Sequence, residues 1–273
     1  MDLLGLPVVV LTHPSDLYNP SCDGMAIDLF RYYYARADLV IAHGLVSLPS
    51  DATVLGGRAR EVVESNTLIR TPLARTGEER RKKASPLRGG NHIVGVLGGG
   101  SENVISSFRA TTAKLAEWSI EACDREKVSR LTLFCADVEL HNHLASRGSW
   151  HTDLELIASQ VDNTAALIKA DIIMGRSGRN LVSEVLALGT RSLIVTVSAE
   201  KYRLGAQQKT AEFASRISPV ICWTTLEEGF DVFHSAFRAT MNAPPRPPVW
   251  MPGNEVIANR LPGLLDLLGL TLC

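Results

Sequence analysis

Short apolar runs alternate with longer segments of helical spacing through most of the chain. "LPVVVLT" (6–12) is β-branched and is closed by His13–Pro14, the pattern of a buried strand. "MAIDLFRYYYARA" (25–37) spaces its apolar residues as a helix does, and "DLVIAHG" (38–44) reads as a second strand. "ATVLGG" (52–57) and "REVVESNTLIR" (60–70) read as short strands and turns, so residues 1–71 form a partial α/β unit. Residues 72–90 are rich in Pro, Arg, Lys, Ser and Gly without apolar periodicity, and they read as an interdomain linker.

A second alternating series begins at residue 91. "HIVGVLG" is a strand, "NVISSFRATTAKLAEWSIEA" (103–122) a helix and "SRLTLFCA" (129–136) a strand. "NTAALIKA" (163–170) is a helix before the strand "DIIMG" (171–175), and "NLVSEVLALG" (180–189) is a helix closed by a glycine cap. "RSLIVTV" (191–197), the helix "LGAQQKTAEFASR" (204–216) and "SPVICW" (218–223) complete the series. Such an order predicts a parallel sheet covered on both faces, here a domain over 91–245. The proline-rich "NAPPRPPVWMPG" (242–253) breaks the pattern. A helical segment over 246–273 follows, with the helix "NEVIANRLPGLLDLL" (254–268) interrupted by Pro262.

Composition narrows the class. The 273 residues are 45% hydrophobic and carry a net charge of −1, so the chain has no electrostatic footprint for nucleic acid. The one basic cluster, "EERRKKASPLRGG" (78–90), is balanced by two glutamates and reads as solvated linker. Five cysteines without C-x-x-C spacing argue against a disulfide scaffold or a zinc site and for a reducing cytosol. The first residues lack a basic flank and a long apolar core, so neither a signal peptide nor a membrane span is expected there. Contact with a membrane surface needs no spanning helix, so the expected location is cytoplasmic or peripheral to a membrane.

Two glycine-bearing turns carry the candidate chemistry. Gly98, Gly99, Gly100 and Ser101 follow a strand and open a helix; backbone amides there can approach a phosphate, or the run is simply a tight turn. Neither the dinucleotide G-x-G-x-x-G spacing nor a Walker motif is present. "ADIIMGRSGRNLVSEVLALG" (170–189) holds the second turn, with Arg176, Ser177 and Gly178 before a helix bearing Glu184. Both turns are expected at the carboxyl ends of parallel strands, where ligands bind open α/β sheets. Glu184 is either a solvated helix residue or the acceptor for two ribose hydroxyls; Arg176 and Arg179 either neutralise a diphosphate or face solvent. His141, His143 and His151 sit in a polar connector without supporting carboxylate or cysteine, and they read as loop residues rather than metal ligands.

From Gly5 to about Leu261 the chain resembles the MurG-type glycosyltransferases, which add N-acetylglucosamine to a lipid-linked acceptor and have the two-domain GT-B fold. The matching stretches run in order: "GLPVVVLTHPSD", "SNTLIRT" (65–71), "VGVLGGGSEN" (94–103) and, most specifically, "ADIIMGRSGRNLVSEVLALG". The implied fold is GT-B-like: a partial amino-terminal α/β unit plus a Rossmann-like parallel-sheet donor domain. The resemblance implies that Glu184 binds the ribose, that Ser101 contacts phosphate, and that Arg70 reaches the donor. It places the R-S-G turn on Arg176, Ser177 and Gly178, and the backbone that holds uracil near Gln160 and Val161. The family's sugar-reading stretch falls on "LGAQQK" (204–209), where Gln208 or Gln207 takes part depending on register.

Family members carry about a hundred further residues before the strand at Val8–Leu11, including the histidine usually assigned as general base. His13, with Asp16 three residues on, is then either the catalytic base or a loop histidine. The resemblance implies a metal-independent, inverting transfer of a hexosyl or N-acetylhexosaminyl group from a UDP-sugar to an acceptor hydroxyl, with no cofactor. The acceptor would be lipid-linked or a small molecule, and a partner chain or a second copy could supply the missing acceptor half. Two alternatives stand beside it: a non-catalytic UDP-sugar-binding module and a UDP-sugar hydrolase.

Overall fold

The structure is a computed structural model that describes residues 8–12, 24–45, 61–83, 91–98, 106–135, 137–147, 152–158, 162–197 and 201–267. The chain divides into two compact units, Met1–Ile69 with Met251–Cys273, and Arg70–Trp250.

The first unit holds a parallel sheet in the order β1 (Val9–Thr12), β2 (Leu39–Gly44), β3 (Glu61–Asn66). Helix α1 (Gly24–Tyr34) connects β1 to β2. On one face Tyr34, Ala37, Val40 and Ala42 pack with Val10 and Val62; on the other, Leu39, Ile41 and Val63 pack with Ile257. Ile257 belongs to α9 (Gly253–Leu267), so the last helix closes on this unit and does not form a segment of its own. The chain after β3 is tied to it: Asn66 Nδ2 donates to the Met251 carbonyl at 2.7 Å, and Asn254 both accepts from Ile69 N and donates to Ile69 O at 2.9 Å. Gly253 permits this approach, since a Cβ there would collide with the Asn66 carbonyl oxygen. The helix runs through Pro262 without the interruption expected from the sequence.

The second unit is built on six parallel strands. In chain order they are β4 (His92–Val96), β5 (Arg130–Phe134), β6 (Asp153–Ile157), β7 (Ile172–Arg176), β8 (Arg191–Thr196) and β9 (Ile221–Thr225). Their spatial order is β6-β5-β4-β7-β8-β9, so the winding reverses between β4 and β7. Helices α3 (Ser106–Arg125), α4 (Val138–Ala145) and α8 (Phe230–Asn242) cover one face, burying Leu115, Ile120, Leu140, Phe233 and Phe237 against Ile93, Leu131, Met174 and Leu193. Gly175 has the opposite parity and turns to the other face, where it meets Leu181 of α6 (Arg179–Leu188). Beside α6 lies α7 (Lys201–Ile217), and α5 (Thr164–Lys169) precedes β7.

The doubly covered parallel sheet expected from the alternation is present, and α6 ends as its sequence predicts. Gly189 takes φ +64 and donates its N–H to Val185 O at 2.9 Å. Several elements escaped the pattern, the helix α8 (Phe230–Asn242) among them. The stretch read as linker begins with α2 (Thr71–Lys83), a helix whose buried positions are Leu73, Ala74 and Gly77. Only two of those three are apolar in the usual sense, and the half-buried Arg80 follows one turn on, so no hydrophobic stripe was visible. Arg80 instead caps neighbouring helices, donating to Leu188 O at 2.9 Å and Ile168 O at 2.8 Å. Burial pushes its pKa below the ordinary arginine value. The polar connector holding His141 and His143 forms α4, capped by Asp137 and anchored by Leu140 and Leu144. His143 pairs with Glu117 at 3.2 Å, and His151 lies outside the described residues. Edge strand β6 alternates charged and apolar residues and was also missed. Among the described residues no helix is long and apolar enough to cross a membrane.

Gly77 lies where α2 crosses α6, and a Cβ there would collide with the Ala187 carbonyl oxygen. Gly77→Val is therefore expected to lower stability by about 1–3 kcal/mol, as overpacked contacts do. The exposed Arg75→Ala control should stay within about 0.5 kcal/mol. Urea unfolding of both variants tests the difference, and an unchanged midpoint for Gly77→Val would contradict the close packing of α2 on α6.

Candidate functional site

The reversal of winding between β4 and β7 sets two glycine turns side by side. The strands pair in parallel, with Val96 opposite Gly175, so both turns leave the same edge of the sheet. A Cβ on Gly175 would stand 2.6 Å from the Val96 carbonyl oxygen, so a side chain there would disturb this pairing. Ligands of open α/β sheets bind at such a reversal, outside the carboxyl ends of the strands.

Gly98 follows β4 with φ +97, a conformation that side chains resist. The Arg176 side chain lies against it, and a Cβ at Gly98 would be 3.2 Å from Arg176 Nη1. Arg176 Nη2 donates to the Val197 carbonyl at 3.3 Å, and burial pushes the guanidinium down to about 10. A native state that lowers this pKa is one in which the cation has lost water, so an incoming anion would be attracted strongly. Next along the turn, Ser177 N donates to Val195 O, and Ser177 Oγ donates to the Gln207 carbonyl at 2.7 Å. Gly178 occupies the N-cap of α6 without a side-chain cap, and a Cβ on it would meet no described atom within 4 Å. The first amides of an α-helix have no intrahelical acceptor, so the start of α6 presents the positive end of the helix dipole at this turn.

Gln207 has its Oε1 fixed by Val197 N at 2.8 Å. That anchors Gln207 to the end of β8, a tie that among the described residues Gln208 does not make. The two glutamines that the sequence left in competition therefore differ in structural role.

Glu184 lies on α6, where every residue from Leu181 to Leu188 is buried, and it is only 7% exposed. A solvated surface glutamate is excluded. Its partner is Arg70, which donates Nε to Oε1 at 2.8 Å and Nη2 to Oε2 at 2.9 Å. Arg70 Nη1 faces Asp162 Oδ1, Asn163 Oδ1 and Thr164 Oγ1 at 3.0, 2.7 and 2.9 Å. Burial opposes the Arg70 charge, but hydrogen bonds and Coulombic attraction to Glu184 and Asp162 outweigh it and hold its pKa above the ordinary value. The Thr164 hydroxyl and backbone N–H hold the Asp162 carboxyl below its ordinary range, with Arg70 adding to the effect.

The structure thus brings together Gly98, Arg176, Ser177, Gly178 and Gln207 as one group, and Arg70 with Glu184 as another. His13, Asp16, Gly99, Gly100, Ser101, Gln160 and Val161 lie outside the described residues. Asp162, Asn163 and Thr164 were missed as site residues. Their signal was present in "VDNTAALI", a run of three small polar residues opening a short helix.

The sequence matches no family model and no curated protein. By structure the chain is similar to MurG of Acinetobacter baumannii, with a TM-score of 0.53 and 18% identity over 88% of this chain and 60% of that one. It is also similar to Staphylococcus aureus MnaA in complex with UDP (TM-score 0.47, 14% identity, 96% of this chain and 68% of that one). A third neighbour is the glycosyltransferase SnogD from Streptomyces nogalater (TM-score 0.43, 13% identity, 90% and 84%). The chain has an α/β fold of the GT-B glycosyltransferase type, with a Rossmann-like parallel sheet. It spans 60% of the length of the MurG chain it matches.

The roles of the two glutamines can be separated. Gln207→Leu leaves the buried Val197 N–H without its acceptor and is expected to cost about 1–3 kcal/mol. Gln208→Ala should change stability by about 0.5 kcal/mol or less. Thermal unfolding of both variants checks this, and equal effects would show that the Gln207 amide is not an anchor.

Proposed function

We propose that the chain binds a UDP-sugar at the carboxyl edge of the second unit's sheet and takes part in glycosyl transfer to an acceptor hydroxyl. The observation that carries this reading is the meeting of Gly98 with the Arg176 guanidinium beside the uncapped N-terminus of α6. Desolvated positive charge beside the N-terminus of a helix suits a diphosphate. The buried Glu184 carboxylate supplies what a ribose diol needs, two acceptor oxygens in a fixed plane. The MurG-like fold and the R-S-G turn support the same reading.

In the reaction, the acceptor oxygen attacks the anomeric carbon as the bond from that carbon to the UDP oxygen breaks, inverting the configuration. A base takes the acceptor's proton, a role proposed for His13, with Asp16 three residues on in sequence. The α6 amides and Arg176 stabilise the charge that gathers on the departing diphosphate, so the reaction is proposed to proceed without a metal cofactor. The acceptor is proposed to be lipid-linked or a small molecule, met in the cytoplasm or at a membrane surface. A partner chain or a second copy is proposed to contribute to its binding.

Calorimetric titration of the full chain with UDP, UDP-N-acetylglucosamine and ADP tests the donor site. UDP and the UDP-sugar are expected to bind in preference to ADP, and Glu184→Ala should weaken both by about tenfold or more, the value of hydrogen bonds to a charged acceptor. No binding by the folded wild-type chain would end this reading. Release of UDP from the sugar nucleotide without acceptor would redirect it to hydrolysis.

A further inference from the structure

Arg70 has five N–H donors, and its surroundings account for most of them. Nε and Nη2 fork onto the two Glu184 oxygens, and Nη1 faces three oxygens within 3.0 Å from Asp162, Asn163 and Thr164. Two carboxylates, Glu184 and Asp162, stand beside this one cation. The local balance is therefore negative, which opposes a second anion at the guanidinium. Arg176 is placed differently: it lies against Gly98 and donates to the Val197 carbonyl.

The fork also defines what remains of Glu184. A carboxylate has about four lone-pair sites, and a bidentate arginine takes two of them, one on each oxygen. One site per oxygen is left, in a plane set by the guanidinium, and two hydroxyls on neighbouring carbons match that pair. At its other end Arg70 grips the turn Asp162–Thr164, which leads into α5. The same side chain thus ties α6 to the start of α5.

From this arrangement we infer that Arg70 is a positioning residue, which orients the Glu184 carboxylate for the ribose 2′- and 3′-hydroxyls and does not itself contact the diphosphate. The inference rests on the UDP-sugar reading above and differs from the direct donor contact that the sequence resemblance implied for Arg70.

The test is calorimetric titration of the full-length wild-type chain and of Arg70→Lys with UDP, 2′,3′-dideoxy-UDP and uridine. Lysine keeps the charge but cannot form the fork. The wild type should prefer UDP to dideoxy-UDP by about tenfold or more, and Arg70→Lys should lose most of that preference. Affinity for dideoxy-UDP and the ratio of UDP to uridine affinity should stay nearly as they were. If dideoxy-UDP weakens in parallel with UDP while uridine does not, Arg70 is a phosphate ligand and the inference is overturned. A wild-type chain that binds UDP without preferring it to dideoxy-UDP overturns the inference alone. A folded wild type that binds no UDP removes the donor reading as well. Should Arg70→Lys fail to fold, Asn163→Ala removes one acceptor of Nη1 while sparing Glu184. It is expected to reduce the diol preference with the same pattern and a smaller amplitude, and an unchanged preference would count against the inference.

Discussion

Parallel pairing of β4 with β7 is the constraint on which the second unit depends. Strands added on either side of this pair wind in opposite directions, so the connections leaving β4 and β7 diverge and open a space above their carboxyl ends. The pair closes tightly because Gly175 has no side chain to meet the Val96 carbonyl and Leu181. A bulkier residue would push α6 away from the sheet and move its N-terminus from the turn after β4. The sheet's hydrogen bonding and the geometry of the candidate anion site are therefore one property.

Charge burial follows from the same packing. Parallel sheets need helices on both faces, and an inner helix such as α6 has little contact with water. A glutamate placed there must find a partner, and the chain supplies Arg70 from just before α2. Losing one member of such a pair costs about 3–5 kcal/mol when the other stays buried, and Arg70's partial exposure puts this case toward the lower end. Arg176 is held differently, desolvated beside a glycine turn with a depressed pKa. One arginine pairs with a carboxylate of the same chain, and the other lies against the glycine turn. Their environments separate roles that their shared residue type does not.

Helix α2 shows how small residues place large ones. Gly77 weakens an isolated helix, by about 1 kcal/mol relative to alanine, yet it lets α2 lie directly on the backbone of α6 at Ala187. That contact keeps the start of α2, and so Arg70, close to Glu184. Arg80, one turn further on, reinforces it through carbonyl groups at the ends of α5 and α6. The basic residues of this stretch are divided between caps and solvent.

Local chemistry by itself determined the strands of four to seven apolar residues, the glycine cap of α6 and the parallel character of the larger sheet. β-branched runs, glycine turns and 3.6-residue spacing act over a few neighbours, so they are readable without a fold. The R-S-G turn and Glu184 were legible as candidates for the same reason. Only tertiary structure decided that 71–83 is helical, since its buried face is only Leu-Ala-Gly and it is stabilised by α6 and by Arg80's carbonyl partners more than 80 residues away in sequence. It also decided that α9 belongs with the first unit, through contacts between residues 185 positions apart. The pairing of Arg70 with Glu184 and the anchoring of Gln207 to Val197 were likewise invisible beforehand. A side chain's partner depends on which backbones approach each other, and that distance is set by packing.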